Sequence, residues 1–159
     1  MPRVRLAASR GAQAASLLAP VVRQLVRTLE RTPRGGRLSW TIAVDADDLA
    51  ELLGNLLENA AKWAVDTVEI AATRVADGVR ITVADDGPGV PADARDQLGI
   101  RGVRLDATTP GHGIGLGIVR DITSAYGGKL AFADAAQGGL EVAVTLPKAQ
   151  ASTGQASSR

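Results

Sequence analysis

Glu51-Leu-Leu-Gly-Asn55-Leu-Leu-Glu58-Asn59-Ala-Ala-Lys62-Trp63 is the stretch around which the chain is organised. At 3.6 residues per turn, Glu51, Asn55, Glu58, Asn59 and Lys62 fall on one face of a helix. Leu49, Leu52, Leu53, Leu56 and Ala60 repeat on the opposite face and give the helix a core side. The polar face is unusual, because two asparagines a turn apart are mediocre helix formers that contribute little to a solvated surface. Asn presents a neutral carbonyl oxygen suited to a hard cation such as Mg²⁺, and Lys62 presents a point charge suited to phosphate. Taken alone, the face is equally consistent with plain solvation.

The flanking text sets this helix in a larger pattern. Asp45 to Asp48 supplies N-cap candidates and negative charge at its start. Upstream, residues 1–11 are basic and irregular, with Val4-Arg-Leu6 a short edge strand. A helix is expected from Ser16, with Leu18, Val22, Leu25, Val26 and Leu29 as its apolar stripe, and it ends before Thr32-Pro33. Leu38 to Val44 alternates as a half-buried strand. Downstream, Thr67 to Thr73 and Val79 to Ala84 read as two strands joined by a hairpin turn at Ala76-Asp77-Gly78. Pro91 to Pro110 is polar and aperiodic apart from a short helix at Ala92 to Leu98, and a connection this long suggests a lid or binding loop. A second helix pattern through Ile118, Val119, Ile122 and Tyr126 ends at Gly127-Gly128. Lys129 to Asp134 and Leu140 to Leu146 are the last strands, followed by a small, polar tail expected to be disordered. This order predicts an α/β (α+β) two-layer sandwich, a mixed, mostly antiparallel sheet of about five strands under three helices.

Composition narrows the function. The chain has 159 residues, a net charge of +1, no cysteine and a single histidine. Disulfides, thiolate zinc sites and cysteine nucleophiles are excluded, as is any metal site needing several imidazoles. No basic excess exists to neutralise a nucleic-acid backbone, and no apolar run is long enough for a membrane span. The chain is expected to be cytoplasmic, with no membrane contact of its own.

Two glycine segments carry the remaining chemistry. Asp85-Asp86-Gly87-Pro88-Gly89-Val90 sits at a strand end, where a carboxylate can accept from an amino group and glycines allow close approach, although it also reads as a tight turn. Gly111-His112-Gly113-Ile114-Gly115-Leu116-Gly117 opens a helix, whose free N–H groups and dipole suit an anion, although flexible turns produce the same text. In order and spacing, Asn-Leu-Leu-Glu-Asn-Ala-Ala-Lys, Asp-Asp-Gly-Pro-Gly-Val-Pro and Gly-His-Gly-Ile-Gly-Leu-Gly-Ile-Val resemble the N, G1 and G2 boxes of the GHKL (Bergerat-fold) ATPases. Within that family the chain is similar to the catalytic ATP-binding domain (HATPase_c) of two-component sensor histidine kinases, PhoQ-type sensors in particular.

The resemblance assigns residues 12–147 to such a domain, with an ATP lid at about 91–112, residues 1–11 to a linker and 148–159 to the tail. It implies Asn55 and Asn59 at Mg²⁺ and the triphosphate, Asn59 as the favoured ligand, Lys62 at phosphate and Trp63 flanking the nucleotide. Asp85 would accept the adenine amino group, with Gly87, Gly89 and Val90 beside the base. Arg101, Gly111, His112, Gly113, Ile114, Gly115 and Leu116 would complete the nucleotide site, Leu116 by packing. Glu51 matches a position sometimes assigned a general base, with helix capping or a surface ion pair as the alternatives. It thus joins Asn55 and Lys62 as a candidate catalytic residue. His112 lies in the lid, so it is not the family's phosphoacceptor; it either reaches Mg²⁺ or a phosphate, or faces solvent. Gly99 stands where relatives anchor the lid with an aromatic residue, and Thr109 where they carry a basic one. The implied activity is transfer of the γ-phosphate of Mg²⁺-ATP to a histidine on a separate dimerisation domain, and through it to a response regulator. The alternative is an anti-sigma-factor-like regulator of the same fold that phosphorylates serine.

Overall fold

Helix α1 (Ala46–Trp63) forms where the leucine period predicts it. Asp45 caps it, its carboxylate accepting from the Asp47 N–H at 2.8 Å, and Asp47, Asp48 and Lys62 complement the helix dipole at the two ends. The buried face holds the five expected residues and adds Leu57, which widens the apolar stripe. The computed structural model describes residues 3–7, 44–100 and 114–148, the side chains of 3–7 excepted. The expected helix from Ser16, most of the strand Leu38 to Val44, lid residues 101–113 and the tail beyond Lys148 lie outside the described residues.

Five strands make one sheet: β1 (Arg3–Ala7), β2 (Thr67–Val75), β3 (Gly78–Asp85), β4 (Lys129–Asp134) and β5 (Leu140–Pro147), in the order β1-β2-β3-β5-β4. The edge strand expected at Val4 to Leu6 is β1, paired with β2 from Arg3↔Ala71 to Ala7↔Thr67. All described pairings are antiparallel, so the mixed character expected of the sheet has no parallel pair among the described residues. Val68, Ile70, Ala72, Ile81 and Val83 point into the core, as their alternation predicts.

Gly78 is not a turn residue. It pairs with Val75 as the first residue of β3, and a Cβ there would stand 1.9 Å from the Leu146 carbonyl oxygen of β5. The hairpin turn is Ala76-Asp77 alone, without positive φ, and glycine follows it because β5 passes so close. The Lys148 N–H donates to the Asp77 carbonyl at 3.0 Å and ties the end of β5 to this turn.

Helix α2 (Gly115–Ala125) packs beside α1, and Leu116, Val119 and Thr123 form its buried stripe. Thr123, which lies outside the expected apolar pattern, enters the core satisfied because its hydroxyl donates to the Val119 carbonyl at 2.6 Å. Ile122 and Tyr126 pack on the margin of the core. The Tyr126 hydroxyl donates to Asp48 and accepts from the Asp45 N–H, pinning the end of α2 to the start of α1. The Asp48 bond, the largest influence, raises the tyrosine pKa. The two helices run antiparallel over one sheet face, closing a core that includes Leu52, Leu53, Leu56, Ile81, Val83, Val144 and Leu146. No helix among the described residues is long and apolar enough to cross a membrane.

Candidate nucleotide-binding site

Asp85 ends β3 opposite Val68 and is 2% exposed, the one buried carboxylate among the described residues. Its Oδ1 accepts from the N–H groups of Gly87 at 2.9 Å and Leu140 at 3.3 Å, and Oδ2 takes neither donor. Burial raises its pKa above the ordinary 3.8, the two N–H groups oppose the rise, and neighbouring Asp86 adds to it. A buried carboxylate with one oxygen fixed by the backbone is built to receive a donor on the other.

Asp86 does the opposite work. Its carboxylate accepts from the N–H groups of Val65 at 2.9 Å, Asp66 at 3.1 Å and Thr67 at 3.0 Å, and so fastens the α1–β2 connection to the end of β3. The Thr67 bond is the largest influence and, with the Asp66 and Val65 bonds, outweighs desolvation, so the pKa is lowered. A lowered folded-state pKa stabilises above the unfolded value of 3.8, and the benefit is lost as pH falls through the folded value. Asp86→Asn should therefore lower the unfolding midpoint at neutral pH, with the gap to wild type closing in acid. Thermal melts across the acid range check this; a gap independent of pH would refute it.

The glycines of this loop are seats for other backbone. A Cβ on Gly87 would stand 2.3 Å from the Trp63 carbonyl oxygen, so the loop rests on the end of α1. Gly89 has φ +71°, and a Cβ there would stand 3.1 Å from the Gly139 carbonyl oxygen. Gly139, in the β4–β5 turn, lies behind Asp85: its Cβ would stand 2.4 Å from Oδ1. The turn at 136–139 is thus the wall that orients Asp85, a role the sequence reading did not assign to it. The Val90 carbonyl accepts from Arg95 Nε at 2.9 Å.

Across from this loop, Asn55 donates from Nδ2 to the Glu51 carbonyl at 2.9 Å. Its Oδ1 lies 3.1 Å from where a Cβ on Gly115 would be, so the asparagine face of α1 meets the glycine start of α2. Glu51 is exposed and contributes its carbonyl to this bond; Asn59 and Trp63 are half-buried. Lys62 Nζ stands 5.0 Å from the Trp63 ring centroid, a cation–π arrangement that parks the ammonium at the end of α1. Leu116 is buried in the core, and Ile114 is exposed. Arg101, Gly111, His112 and Gly113 lie outside the described residues.

An acceptor for an amino group, a glycine-lined loop and an amide-bearing helix face against a helix N-terminus thus share one end of the sandwich. The family model of histidine kinase-, DNA gyrase B- and HSP90-like ATPases matches residues 44–150. The sensor protein kinase CarS of Pseudomonas aeruginosa is 50% identical over 115 residues, covering 72% of this chain and 25% of CarS. The virulence sensor histidine kinase PhoQ of Salmonella typhimurium is 35% identical over 137 residues, covering 81% of this chain and 28% of PhoQ. Full-length ShkA in complex with AMPPNP superposes with a TM-score of 0.65 at 30% identity, covering 87% of this chain and 29% of ShkA. The mycobacterial sensor histidine kinase MprB shares the fold, with a TM-score of 0.64 at 24% identity over 93% of this chain and all of that one. The chain belongs to the family of histidine kinase-, DNA gyrase B- and HSP90-like ATPases. Within it, the chain is an ATP-binding domain of the sensor-histidine-kinase type, and it spans about a quarter of the length of the curated relatives it matches.

Proposed function

We propose that the chain binds Mg²⁺-ATP and presents the γ-phosphate to a histidine on a dimerisation domain, in the same or another polypeptide, from which a response regulator is phosphorylated. The parent kinase would be membrane-anchored with this domain on the cytoplasmic side. The observation that carries the reading is Asp85, buried at the strand end with one oxygen held by two backbone N–H groups and the other taking neither donor; that second oxygen would receive the adenine amino group. The relatives named as sensor kinases and the AMPPNP complex of ShkA support it.

The base would lie against Gly87, Gly89 and Val90, with Trp63 at its margin. The triphosphate would run toward Asn55, Asn59 and Lys62 and the N-terminal turn of α2, where Ile114 and Gly115 offer backbone N–H groups. His112, Gly111, Gly113 and Arg101 would complete the phosphate side. No group of three or more His, Cys, Asp or Glu side chains that could hold a metal occurs among the described residues. A site of amide oxygens plus substrate phosphates fits Mg²⁺, which keeps few protein ligands. When bound, Mg²⁺ would neutralise developing charge on the phosphates. Asn55 is pre-set for this, since its Nδ2 is occupied by Glu51 and its Oδ1 faces the start of α2. Catalysis is then positioning: the chain holds the γ-phosphorus in line with the acceptor imidazole nitrogen, and ADP leaves with the bridging oxygen. Glu51, exposed on α1, would stand open to the incoming acceptor domain in the general-base role the resemblance implies.

ATP titrations with and without Mg²⁺ should show a metal-dependent gain in affinity that Asn59→Ala abolishes; an undiminished gain in the variant would remove Asn59 from the metal site. The activity itself is tested with γ-labelled ATP and a separately expressed dimerisation domain. Acid-labile, base-stable phosphohistidine is the expected product, and acid-stable phosphoserine would overturn the reading in favour of a serine-directed regulator.

A further inference from the structure

We propose that Arg120 is a positioning residue for the nucleotide site, holding the far end of the segment that runs from the Asp85 loop back to α2. The inference rests on the nucleotide-binding reading above. The segment leaves Val90, forms a 3₁₀ turn at Ala92–Gln97 that buries no residue, and returns to α2 at Leu98 and Gly99. Val90 and Leu98 pack on the margin of the core at its two ends, the turn between them packs on nothing that buries it, and two arginines supply the hydrogen bonds that fix the segment. At the near end, Arg95 donates from Nε to the Val90 carbonyl at 2.9 Å, and its guanidinium pairs with Asp134 at the end of β4. At the far end, Arg120 of α2 donates from Nη2 to the Leu98 carbonyl at 2.6 Å.

The next residue shows how close the chain passes to α2. Gly99 has φ +74°, and a Cβ there would stand 2.9 Å from the Leu116 carbonyl oxygen and 3.2 Å from Arg120 Nε. Arg120 Nε is itself buried without a hydrogen-bond partner, the one such side-chain nitrogen or oxygen among the described residues. Buried donors are rarely left unpaired, because each one costs its desolvation. An arginine that leaves one donor orphaned to place another on Leu98 is poorly explained by stability. It is explained by what the bond fixes: Val90 lies at the adenine loop and α2 begins at the phosphate side, so gripping both ends of the segment sets the span between them.

This separates a positioning role from a merely structural one. Arg120→Ala removes the Leu98 bond and the orphaned donor together, so the two effects on folding largely offset. ADP affinity should nevertheless fall about tenfold, the loss expected for one charge-assisted bond. Arg120→Lys keeps a single donor for Leu98 and should recover most of the affinity. Gly99→Ala pushes the same segment off α2 by another route and should weaken ADP binding with Arg120 intact.

The experiment is calorimetric ADP titration and thermal unfolding of the full chain as wild type, Arg120→Ala, Arg120→Lys and Gly99→Ala. Expected are weak binding in both alanine variants, a near wild-type melt for Arg120→Ala and rescue by lysine. Wild-type affinity in both alanine variants would overturn the inference while leaving the nucleotide site intact. A loss of affinity in Arg120→Ala matched by a lowered melt, without rescue by lysine, would overturn it too. Failure of the wild type to bind ADP would instead bring down the nucleotide-binding reading itself.

Discussion

Asp85→Asn should weaken ADP and ATP binding by roughly 10- to 150-fold, the range expected for one hydrogen bond to a charged acceptor. The substitution is nearly isosteric, and the new amide oxygen can accept from Gly87 and Leu140 as Oδ1 does now. The amide nitrogen then takes the place of Oδ2, so a donor faces the donor of the adenine amino group. Stability should move the other way. The folded-state pKa of Asp85 is raised by burial, so wild-type stability falls as pH rises from the unfolded value of 3.8 through the folded one. A neutral Asn carries no such penalty at neutral pH. Binding lost with stability kept or gained is the signature of a group placed for a ligand rather than for the fold, and calorimetry paired with urea unfolding reads both. The affinity gap between the two proteins should close as pH drops through the Asp85 pKa. Equal affinities at neutral pH would remove Asp85 from the base site.

Gly139→Ala should be among the most destabilising alanine substitutions in the chain, and Gly127→Ala is its control. Both glycines have φ +65°, so each alanine meets the same left-handed strain, about 1–2 kcal/mol. At Gly127 nothing lies within 4 Å of the new Cβ, and the cost ends there. At Gly139 the Cβ would stand 2.2 Å from the Asp85 carbonyl oxygen and 2.4 Å from Oδ1, so the β4–β5 turn has to move. Overpacking of this kind adds about 1–3 kcal/mol. The displacement also unseats the Leu140 N–H from Asp85, so ADP binding should fall in Gly139→Ala and stay at wild type in Gly127→Ala. Urea unfolding midpoints for the two variants give the comparison. Equal destabilisation, with ADP affinity intact in both, would show that the turn does not orient Asp85.

The parts legible in the sequence are those written in short-range periodicity. The leucines of α1 repeat at helical spacing and are buried; Val68, Ile70, Ile81 and Val83 alternate and face the core. The three glycine- and asparagine-bearing segments, read together in order, led to the family that the comparison identifies. What was not legible depends on residues far apart in the chain. Gly78 reads as a turn glycine because Asp-Gly is a turn signal, yet it is glycine because the β5 backbone lies against it. The Ala-Gln-Gly-Gly turn reads as a connector, and only the fold shows that Asp85, more than fifty residues earlier, rests on it. Asp86 and Asp85 are identical in the text and opposite in their surroundings: one is half-buried and fastens a loop, the other is buried with one oxygen outside its backbone bonds. Thr123 was missed because a hydroxyl counts as polar until its bond to Val119 is seen. The arginines holding Val90 and Leu98 carry no local pattern at all.

The central claim is that Asp85 selects a nucleotide by accepting a hydrogen bond from the adenine amino group. Titration of the chain with ADP and with inosine diphosphate tests it most directly, because inosine carries a carbonyl oxygen where adenine carries the amino group. The account predicts clear ADP binding and at least tenfold weaker binding of inosine diphosphate, since two acceptors would then face each other in a buried site. Equal affinity for the two nucleotides would contradict it.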